Sequence, residues 1–270
     1  MCSESVPIRA SPPKWWVSVG TKRIRMVPVG IGLILAFLPA AAQASDQSES
    51  TAPKPPAWVL HGKYAPVVDP ANFVSKIDNR YFPLKPGTGF HYQGVKDGSP
   101  QSDDMVVTHQ VKYILGVRCT VVRDTVSQHG KPLERTFDWY AQDKQGNVWY
   151  MGEEALDLKN GRFVRASDSW QAGVKLAKPG VIVRGHPRPG DVYRQEYYPP
   201  GGALDQAHVV RTTATVRVPA GTFRRVLVTD EWSPVEPQIE RKYYVAGLGE
   251  IKEQVTAGGH EQFQLVRVTH

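Results

Sequence analysis

Short runs in which apolar and polar residues alternate fill the chain from residue 81 onward. Val, Thr, Tyr, Phe and Trp recur in them with a period of two, which is typical of half-buried β-strands, and Gly, Pro, Asn and Asp separate them as turn residues do. The pattern predicts strands at residues 89–95, 104–114, 117–127, 133–142, 147–152, 162–166, 181–184, 191–198, 207–218, 222–232, 239–246, 250–256 and 261–268. Sustained helical spacing is absent, and the links are of hairpin length. We therefore predict an all-β, mainly antiparallel fold: a curved sheet, half-barrel or barrel with little helix.

A single long apolar stretch, residues 27–42, precedes this region. Three basic residues lie just before it: Lys22, Arg23 and Arg25. At its end, the small residues Ala42 and Ala44 occupy the two positions that signal peptidase recognises. The stretch is shorter than the about 20 apolar residues of a membrane span. We therefore expect residues 1–44 to be a secretory signal peptide cleaved between Ala44 and Ser45, which leaves a periplasmic or secreted protein without a stable membrane span; a retained N-terminal anchor is the alternative.

The remaining chain divides simply. Residues 45–56 (SDQSESTAPKPP) are rich in Ser and Pro, which is typical of a disordered lead-in. Residues 57–270 contain no further linker or block of charge, and we expect one antiparallel β domain. Within it, Asp69-Pro70 predicts a short helix over residues 71–76, with Asp69 as its N-cap.

Charge and cysteine content narrow the classes of function. Removing residues 1–44, which hold five Lys or Arg and one acid, leaves 28 basic and 25 acidic residues, a net charge of +3. A net charge of this size, with basic and acidic residues interspersed, does not indicate a basic surface that binds nucleic acid. Cys119 is then the one remaining cysteine. Its alternating strand context predicts a small buried residue, with a catalytic thiol as the weaker alternative.

Motifs that identify a reaction do not occur in this sequence. The eight histidines are scattered without HxH or HExxH spacing, so we expect no metal site. GxSxG, GxGxxG and CxxCH are also absent. The sequence therefore predicts no cofactor and names no reaction.

Three segments carry a resemblance: residues 138–150 (DWYAQDKQGNVWY), 218–223 (VPAGTF) and 243–249 (YYVAGLG). The first is similar to a segment of a widespread, uncharacterised family of exported bacterial proteins. The other two resemble hairpins of periplasmic domains of unknown function with a lipoprotein-carrier-like fold, which is a strongly curved half-barrel partly closed by a helix. The resemblance implies an apolar groove and confers no known activity. Turn chemistry alone also accounts for both hairpins, because Pro presets φ and Gly accepts positive φ.

The predicted strand faces mix aromatic and charged side chains. This favours either a packed face with an amphipathic solvent face, or a curved sheet whose second face lines a cavity. On the cavity interpretation we expect a lipid-like or other small amphipathic or apolar ligand on the concave face, with Arg194 holding an acidic head group. The candidate ligand-binding residues are Asp138, Tyr140, Trp149, Arg194, Glu196 and Glu231. Two alternatives stay open: a hydrolase or lyase that uses a carboxylate pair, and an envelope interaction module without a ligand.

Overall fold

The computed structural model describes residues 53–270. The predicted signal peptide and most of the lead-in lie outside the described residues. The predicted fold class is confirmed, because the protein is nearly all antiparallel β, with 62% strand and 3% helix, and its sheet forms a nearly closed barrel. The helical segments within residues 53–270 are three-residue 3-10 turns, far shorter than a membrane-spanning helix.

Sixteen strands occur in residues 53–270. The first eight are β1 (Phe73–Val74), β2 (Gly89–Lys96), β3 (Ser99–Ile114), β4 (Val117–Gln128), β5 (Lys131–Asp143), β6 (Val148–Lys159), β7 (Arg162–Arg165) and β8 (Trp170–Gln171). The others are β9 (Lys178–Val183), β10 (Val192–Arg194), β11 (Glu196–Tyr197), β12 (Gln206–Val218), β13 (Gly221–Ser233), β14 (Glu236–Val245), β15 (Gly249–Ala257) and β16 (Gln262–Thr269). Short 3-10 turns lie at Pro70–Asn72 and Pro199–Gly201.

The predicted helix over residues 71–76 is too long. Asp69 caps the turn as predicted, because its Oδ1 accepts a hydrogen bond from the Ala71 amide at 3.0 Å. The turn nevertheless ends at Asn72, where the chain enters β1 and pairs with β5. Strand pairing thus replaces the last turn of the helix.

The two sequence motifs of the C-terminal half form hairpins as predicted. Val218 pairs with Gly221 across the β12–β13 turn, and Val245 pairs with Gly249 across the β14–β15 turn. A register shift between Tyr243 and Tyr244 supplies the bulge. Both segments have structural roles that turn chemistry explains.

The chain closes the barrel at a seam, residues 192–197. Strands lie in the order β10-β12-β13-β14-β15-β16-β2-β3-β4-β5-β6-β9-β11, so the edge strands β10 and β11 are consecutive in the chain. Gln195 separates them: β10 pairs with β12, and β11 pairs with β9. The prediction of one strand over residues 191–198 is therefore wrong, since the backbone changes partner at Gln195.

The seam is tightly packed on both sides. On β9, a Cβ atom at Gly180 would lie 2.3 Å from the carbonyl carbon and oxygen of Gln195, so this position requires glycine. Along the outside runs a strap, residues 58–64. Leu60 contributes its amide to Gln206 Oε1 at 2.6 Å and its carbonyl to Arg194 Nη2 at 2.9 Å. Tyr64 donates its hydroxyl to the Pro179 carbonyl at 2.9 Å.

The two ends of the barrel differ. Because neighbouring strands are antiparallel, the β3–β4, β5–β6 and β14–β15 turns share a lower end, and the β2–β3, β4–β5 and β13–β14 turns share an upper end. A plug, residues 77–84, packs at the lower end, where the Gly247 amide donates to the Arg80 carbonyl at 2.7 Å. The buried apolar side chains of the plug are Ile77, Tyr81, Phe82 and Leu84.

Cys119 is buried in the core, as its sequence context predicted. Its thiol donates to the Val117 carbonyl at 3.5 Å. Burial raises the pKa of the thiol to about 12. The group is therefore protonated at neutral pH, which does not suit a nucleophilic thiolate.

Candidate functional site: the barrel interior

A cavity of about 150 Å³ lies inside the barrel, and Phe82 of the plug lines it. Strands β3 to β6 contribute to its lining, as do β13 to β15. Gln195 and Glu196 of the seam also line it. A cavity of about 150 Å³ accommodates a molecule the size of benzene.

Aromatic rings form one wall of the interior. Tyr140 and Tyr150 are cross-strand partners on β5 and β6, and their rings stack with centroids 4.9 Å apart and planes 18° apart. Phe82 meets Tyr140 edge-on at 5.3 Å, and Trp170 meets Tyr150 edge-on at 5.3 Å. Stacked and edge-on contacts of this kind stabilise the packing of the rings, so this wall presents apolar surface to the cavity.

Four glutamates surround one lysine on strands β13 to β15. The Nζ atom of Lys242 lies 3.3 Å from Glu231, 3.7 Å from Glu240 and 3.7 Å from Glu253. Glu250 also lines the cavity. Glu231 and Glu240 are directly opposite each other in the β13–β14 register, a placement that like charges normally destabilise. Lys242 offsets that repulsion.

Six more carboxylates line the cavity from the other strands, the seam and two loops: Asp103, Asp124, Glu153, Glu196, Asp205 and Glu261. Lys96 forms an ion pair with Glu261 at 3.1 Å. Lys242 is the one basic residue among the described residues that line the cavity. The interior therefore carries a large excess of acidic side chains.

This environment changes the protonation of its members. Burial raises the pKa of Glu240 well above its usual value, Lys242 opposes the rise, and Glu253 and Glu231 add to it. Desolvation raises the pKa of Glu250 in the same direction. For Lys242, burial alone lowers the pKa, but the surrounding glutamates together raise it well above its usual value. The interior thus favours the charged form of Lys242 and makes Glu240 and Glu250 easier to protonate than free carboxyl groups.

Stability should therefore depend on pH through Glu240. A carboxyl group with a raised pKa in the folded protein contributes stability below its ordinary pKa of 4.5, and this contribution is lost as pH rises through the folded value. We expect a lower Tm at pH 8 than at pH 5, and we expect Glu240→Gln to shrink that difference by about 2–4 °C, the effect of about 1 kcal/mol in a domain of this size. Calorimetric scans at both pH values measure it.

The matched control is Glu154→Gln on β6. The Glu154 carboxylate is 39% exposed and forms an ion pair with Arg165 at 2.6 Å, so its removal should leave the pH 5 to pH 8 difference in Tm unchanged. An unchanged difference in Glu240→Gln would contradict the assignment.

Three polar side chains of the cavity have buried atoms without a hydrogen-bond partner among residues 53–270. They are both amide atoms of Gln195, Oγ of Ser233 and Nε1 of Trp232. Gln195 and Ser233 are each only 1% exposed. Buried polar atoms in folded proteins almost always have a partner. These three groups are therefore suited to contact a bound molecule.

Tyr150 joins two carboxyl groups at the edge of the cavity. Its hydroxyl lies 2.6 Å from Asp138 Oδ1 and 2.7 Å from Glu153 Oε2, and all three residues are buried. Asp138 and Glu153 are cross-strand partners on β5 and β6. A phenol hydroxyl carries one hydrogen, so it donates to one carboxyl group at a time. The Tyr150 hydroxyl thus links Asp138, which does not line the cavity, to Glu153, which does.

Three of the six predicted site residues line the cavity: Tyr140, Glu196 and Glu231. Asp138 does not line it directly, but it contacts the lining residue Tyr150. Two residues lie elsewhere. Trp149 donates its indole N–H to Asp143 Oδ2 at 2.8 Å, in the β5–β6 turn. Arg194 is held by the strap, where its guanidinium lies 5.7 Å from the Tyr64 ring centroid and 5.5 Å from that of Tyr197.

The sequence interpretation did not identify the strand that contributes the central charged cluster of the site. Glu240, Lys242 and Tyr244 alternate along one face of β14, and all three line the cavity. Gln195 and Ser233 were also missed. The available signal was the Glu-x-Lys-x-Tyr alternation, which on a single strand is equally typical of a solvent face.

The interior does not resemble a metal centre. In the part of the chain that the structure describes, no group of three or more His, Cys, Asp or Glu side chains could hold a metal ion. The carboxylates come instead from strands spaced around the barrel.

Comparison with known proteins gives two similar crystal structures. One is a protein from Bacteroides fragilis described as exported and as having a YmcC-like fold; it is 16% identical, with a TM-score of 0.43, and the match covers 71% of this chain and 100% of that one. The other is described as a lipoprotein from Parabacteroides distasonis; it is 11% identical, with a TM-score of 0.39 and the same coverage. No family model and no curated protein sequence matches this chain. We therefore infer function from this chain's own side chains.

Proposed function

We propose that this is an exported binding protein that holds a small amphipathic ligand inside its barrel. The observation that carries the proposal is the cavity of about 150 Å³ into which buried polar atoms of Gln195 and Ser233 face without a partner. Leaving a buried polar atom unbonded costs about 1–3 kcal/mol, so a ligand that bonds to these atoms would recover that free energy. A concave site with an apolar wall and a few convergent polar groups is typical of small-molecule binding.

The lining supports an amphipathic ligand more than a purely apolar one. Rings of Phe82, Tyr140 and Tyr150 offer an apolar surface near the plug, and carboxylates surround the remaining space. A purely apolar molecule would bury those carboxylates against hydrocarbon, which is unfavourable. The proposed residues are Tyr140, Tyr150, Gln195, Glu196, Glu231 and Ser233.

Export and domain organisation belong to the same proposal. The basic flank, apolar stretch and small-residue exit of residues 1–44 support export, with cleavage after Ala44. Residues 57–270 would then act as one domain, since every strand belongs to one connected sheet.

Native mass spectrometry of the protein purified gently from the envelope tests this proposal. We expect a polypeptide mass beginning at Ser45, with an added mass on the order of 100 Da, as for a benzene-sized molecule, that disappears on denaturation. Met105→Trp fills the cavity and should abolish the added mass. Val174→Trp, at a position 48% exposed, is the matched control and should retain it.

The outcomes separate the alternatives. A bare polypeptide in all three proteins, together with no change in Tm on adding small-molecule extracts, would refute ligand binding. Both variants must show the far-ultraviolet circular dichroism of the wild type, so that a lost ligand reports on the cavity rather than on folding. The carboxylate enzyme and the interaction module stay hypotheses beside the proposal.

A further inference from the structure

The barrel interior also indicates the charge of what it binds. We propose that the ligand is a small organic cation, an ammonium or guanidinium group on a compact apolar body, with its charged end among the interior carboxylates. This inference rests on the proposed binding function and adds the ligand's chemical class. It reverses the sequence-based expectation of an acidic head group held by Arg194, whose side chain the strap holds outside the cavity lining.

Charge balance is the first argument. Ten acidic residues and one lysine line the cavity among the described residues. An anionic ligand would face like charges inside the barrel, where repulsion is screened less than in bulk water. A cation lowers the electrostatic energy of every nearby carboxylate. The lining therefore selects against acids and in favour of bases.

The unpartnered polar atoms are a second, independent argument. Gln195 Oε1 and Ser233 Oγ are acceptors in side chains that are 1% exposed, and they line the same cavity as the carboxylates. Ammonium and guanidinium groups bear several N–H donors and no acceptor, so both oxygens would find partners. Gln195 Nε2 and Trp232 Nε1 are donors, and they suit an oxygen atom on the body of the same ligand.

Lys242 shows that this interior already holds an ammonium group. Its Nζ atom has three carboxylate neighbours at 3.3–3.7 Å, and those neighbours raise its pKa. A second ammonium group would meet the same chemistry at Asp205 and Glu196, which line the cavity beside Gln195. The stacked rings of Tyr140 and Tyr150 would receive the apolar body, and ring faces also attract cations.

A matched set of probes tests the sign of the charge. Benzylammonium, benzyl alcohol and benzoate share a ring that fits a cavity of about 150 Å³ and carry charges of +1, 0 and −1. We expect isothermal titration of the ligand-free protein at pH 7.5 to show benzylammonium binding at least tenfold more tightly than either of the others. Glu196→Gln should weaken benzylammonium binding at least threefold, and Glu154→Gln, whose side chain is 39% exposed, should not.

The outcomes distinguish this inference from the proposed function. If benzyl alcohol or benzoate binds as tightly as benzylammonium or more tightly, the proposal of a cationic ligand is refuted and the proposal of interior binding stands. If no probe binds, the molecule that native mass spectrometry finds retained in the protein gives the answer. A retained molecule without a basic nitrogen refutes the proposal of a cationic ligand but not the proposal of interior binding. Absence of any retained molecule, with no probe bound, overturns both. Both proposals are supported if benzylammonium binds more tightly than the other two probes, Met105→Trp abolishes this binding and Val174→Trp preserves it.

Discussion

Replacing Lys242 by methionine should lower the free energy of unfolding by about 2–4 kcal/mol at pH 7.5. Lys242 is the cation nearest to Glu231, Glu240 and Glu253. Removing one partner from a buried ion pair typically costs about 3–5 kcal/mol, because the opposite charge stays buried and uncompensated. We expect a smaller loss, since the Lys242 side chain retains 19% exposure to solvent. Urea denaturation followed by tryptophan fluorescence measures the change.

The sign of the pH dependence adds a second readout. The folded protein raises the pKa of Lys242, so its contribution is fully present below the unfolded pKa of about 10.5 and is lost only as pH rises through the folded value. The wild-type lysine is thus charged throughout the range from pH 5 to pH 8. In the variant, the glutamates lose their counter-charge. The loss of stability should be larger at pH 8 than at pH 5, because the raised pKa of Glu240 lets that carboxyl group take up a proton more readily at the lower pH.

Two further variants isolate the cause. Lys159→Met removes a lysine that is 60% exposed and paired with Asp157 at 2.9 Å, and it should cost less than about 1 kcal/mol because surface ion pairs contribute little. Adding Glu240→Gln to Lys242→Met should recover part of the loss, since it removes one uncompensated carboxylate. A loss below 1 kcal/mol in Lys242→Met, or no recovery in the double variant, would mean that the cluster does not depend on this cation.

The fold class was predictable because strand period and turn chemistry are local properties. Turn residues at 219–221 and 246–249 predicted two hairpins that the structure contains. The break at Gln195 was not predictable in this way. Residues 191–198 have the pattern of one continuous strand, and only closure of the whole sheet makes the backbone change partner there.

That break also explains the mixed outcome for the candidate site. Period-two alternation places Arg194 and Glu196 on one face of a single strand, which predicts similar surroundings for both side chains. Because the backbone changes partner at Gln195, the two side chains differ: Arg194 donates to the Leu60 carbonyl of the strap, and Glu196 lines the cavity. For Glu240 and Lys242, a charged strand face predicts solvent exposure unless the sheet closes around it. Side-chain surroundings that depend on closure cannot be assigned from one strand at a time.

Asp143 organises the β5–β6 turn, residues 143–148. Its Oδ1 atom accepts hydrogen bonds from the backbone amides of Gln145 at 3.0 Å and Asn147 at 2.9 Å. Its Oδ2 atom accepts from Asn147 Nδ2 and Trp149 Nε1, each at 2.8 Å. Gly146 supplies the positive φ of 81° that the turn requires. The carboxylate thus satisfies four donors at once, which explains why Trp149 serves the turn rather than the cavity.

We expect Asp143→Ala to lower the free energy of unfolding by about 3 kcal/mol. Hydrogen bonds to a charged group each contribute about 1.5–3 kcal/mol, but four that share one carboxylate are not additive, and the freed donors are only partly rehydrated. Asp143→Asn keeps a single side-chain acceptor and should lose about half as much. The turn also holds the plug, because Asn79 Nδ2 donates to the Gly146 carbonyl at 2.7 Å, so hydrogen exchange at residues 77–84 should quicken in both variants.

Asp104→Ala is the matched control for Asp143→Ala. Asp104 is 52% exposed and accepts from His91 Nδ1 at 2.7 Å on the outside of the sheet, so its removal should cost less than about 1 kcal/mol and leave exchange in the plug unchanged. If Asp143→Ala matches Asp104→Ala in stability, the four hydrogen bonds do not hold the turn together. If Asp143→Ala loses stability while plug exchange stays slow, the turn stabilises β5 and β6 alone and the plug is held by its own apolar packing.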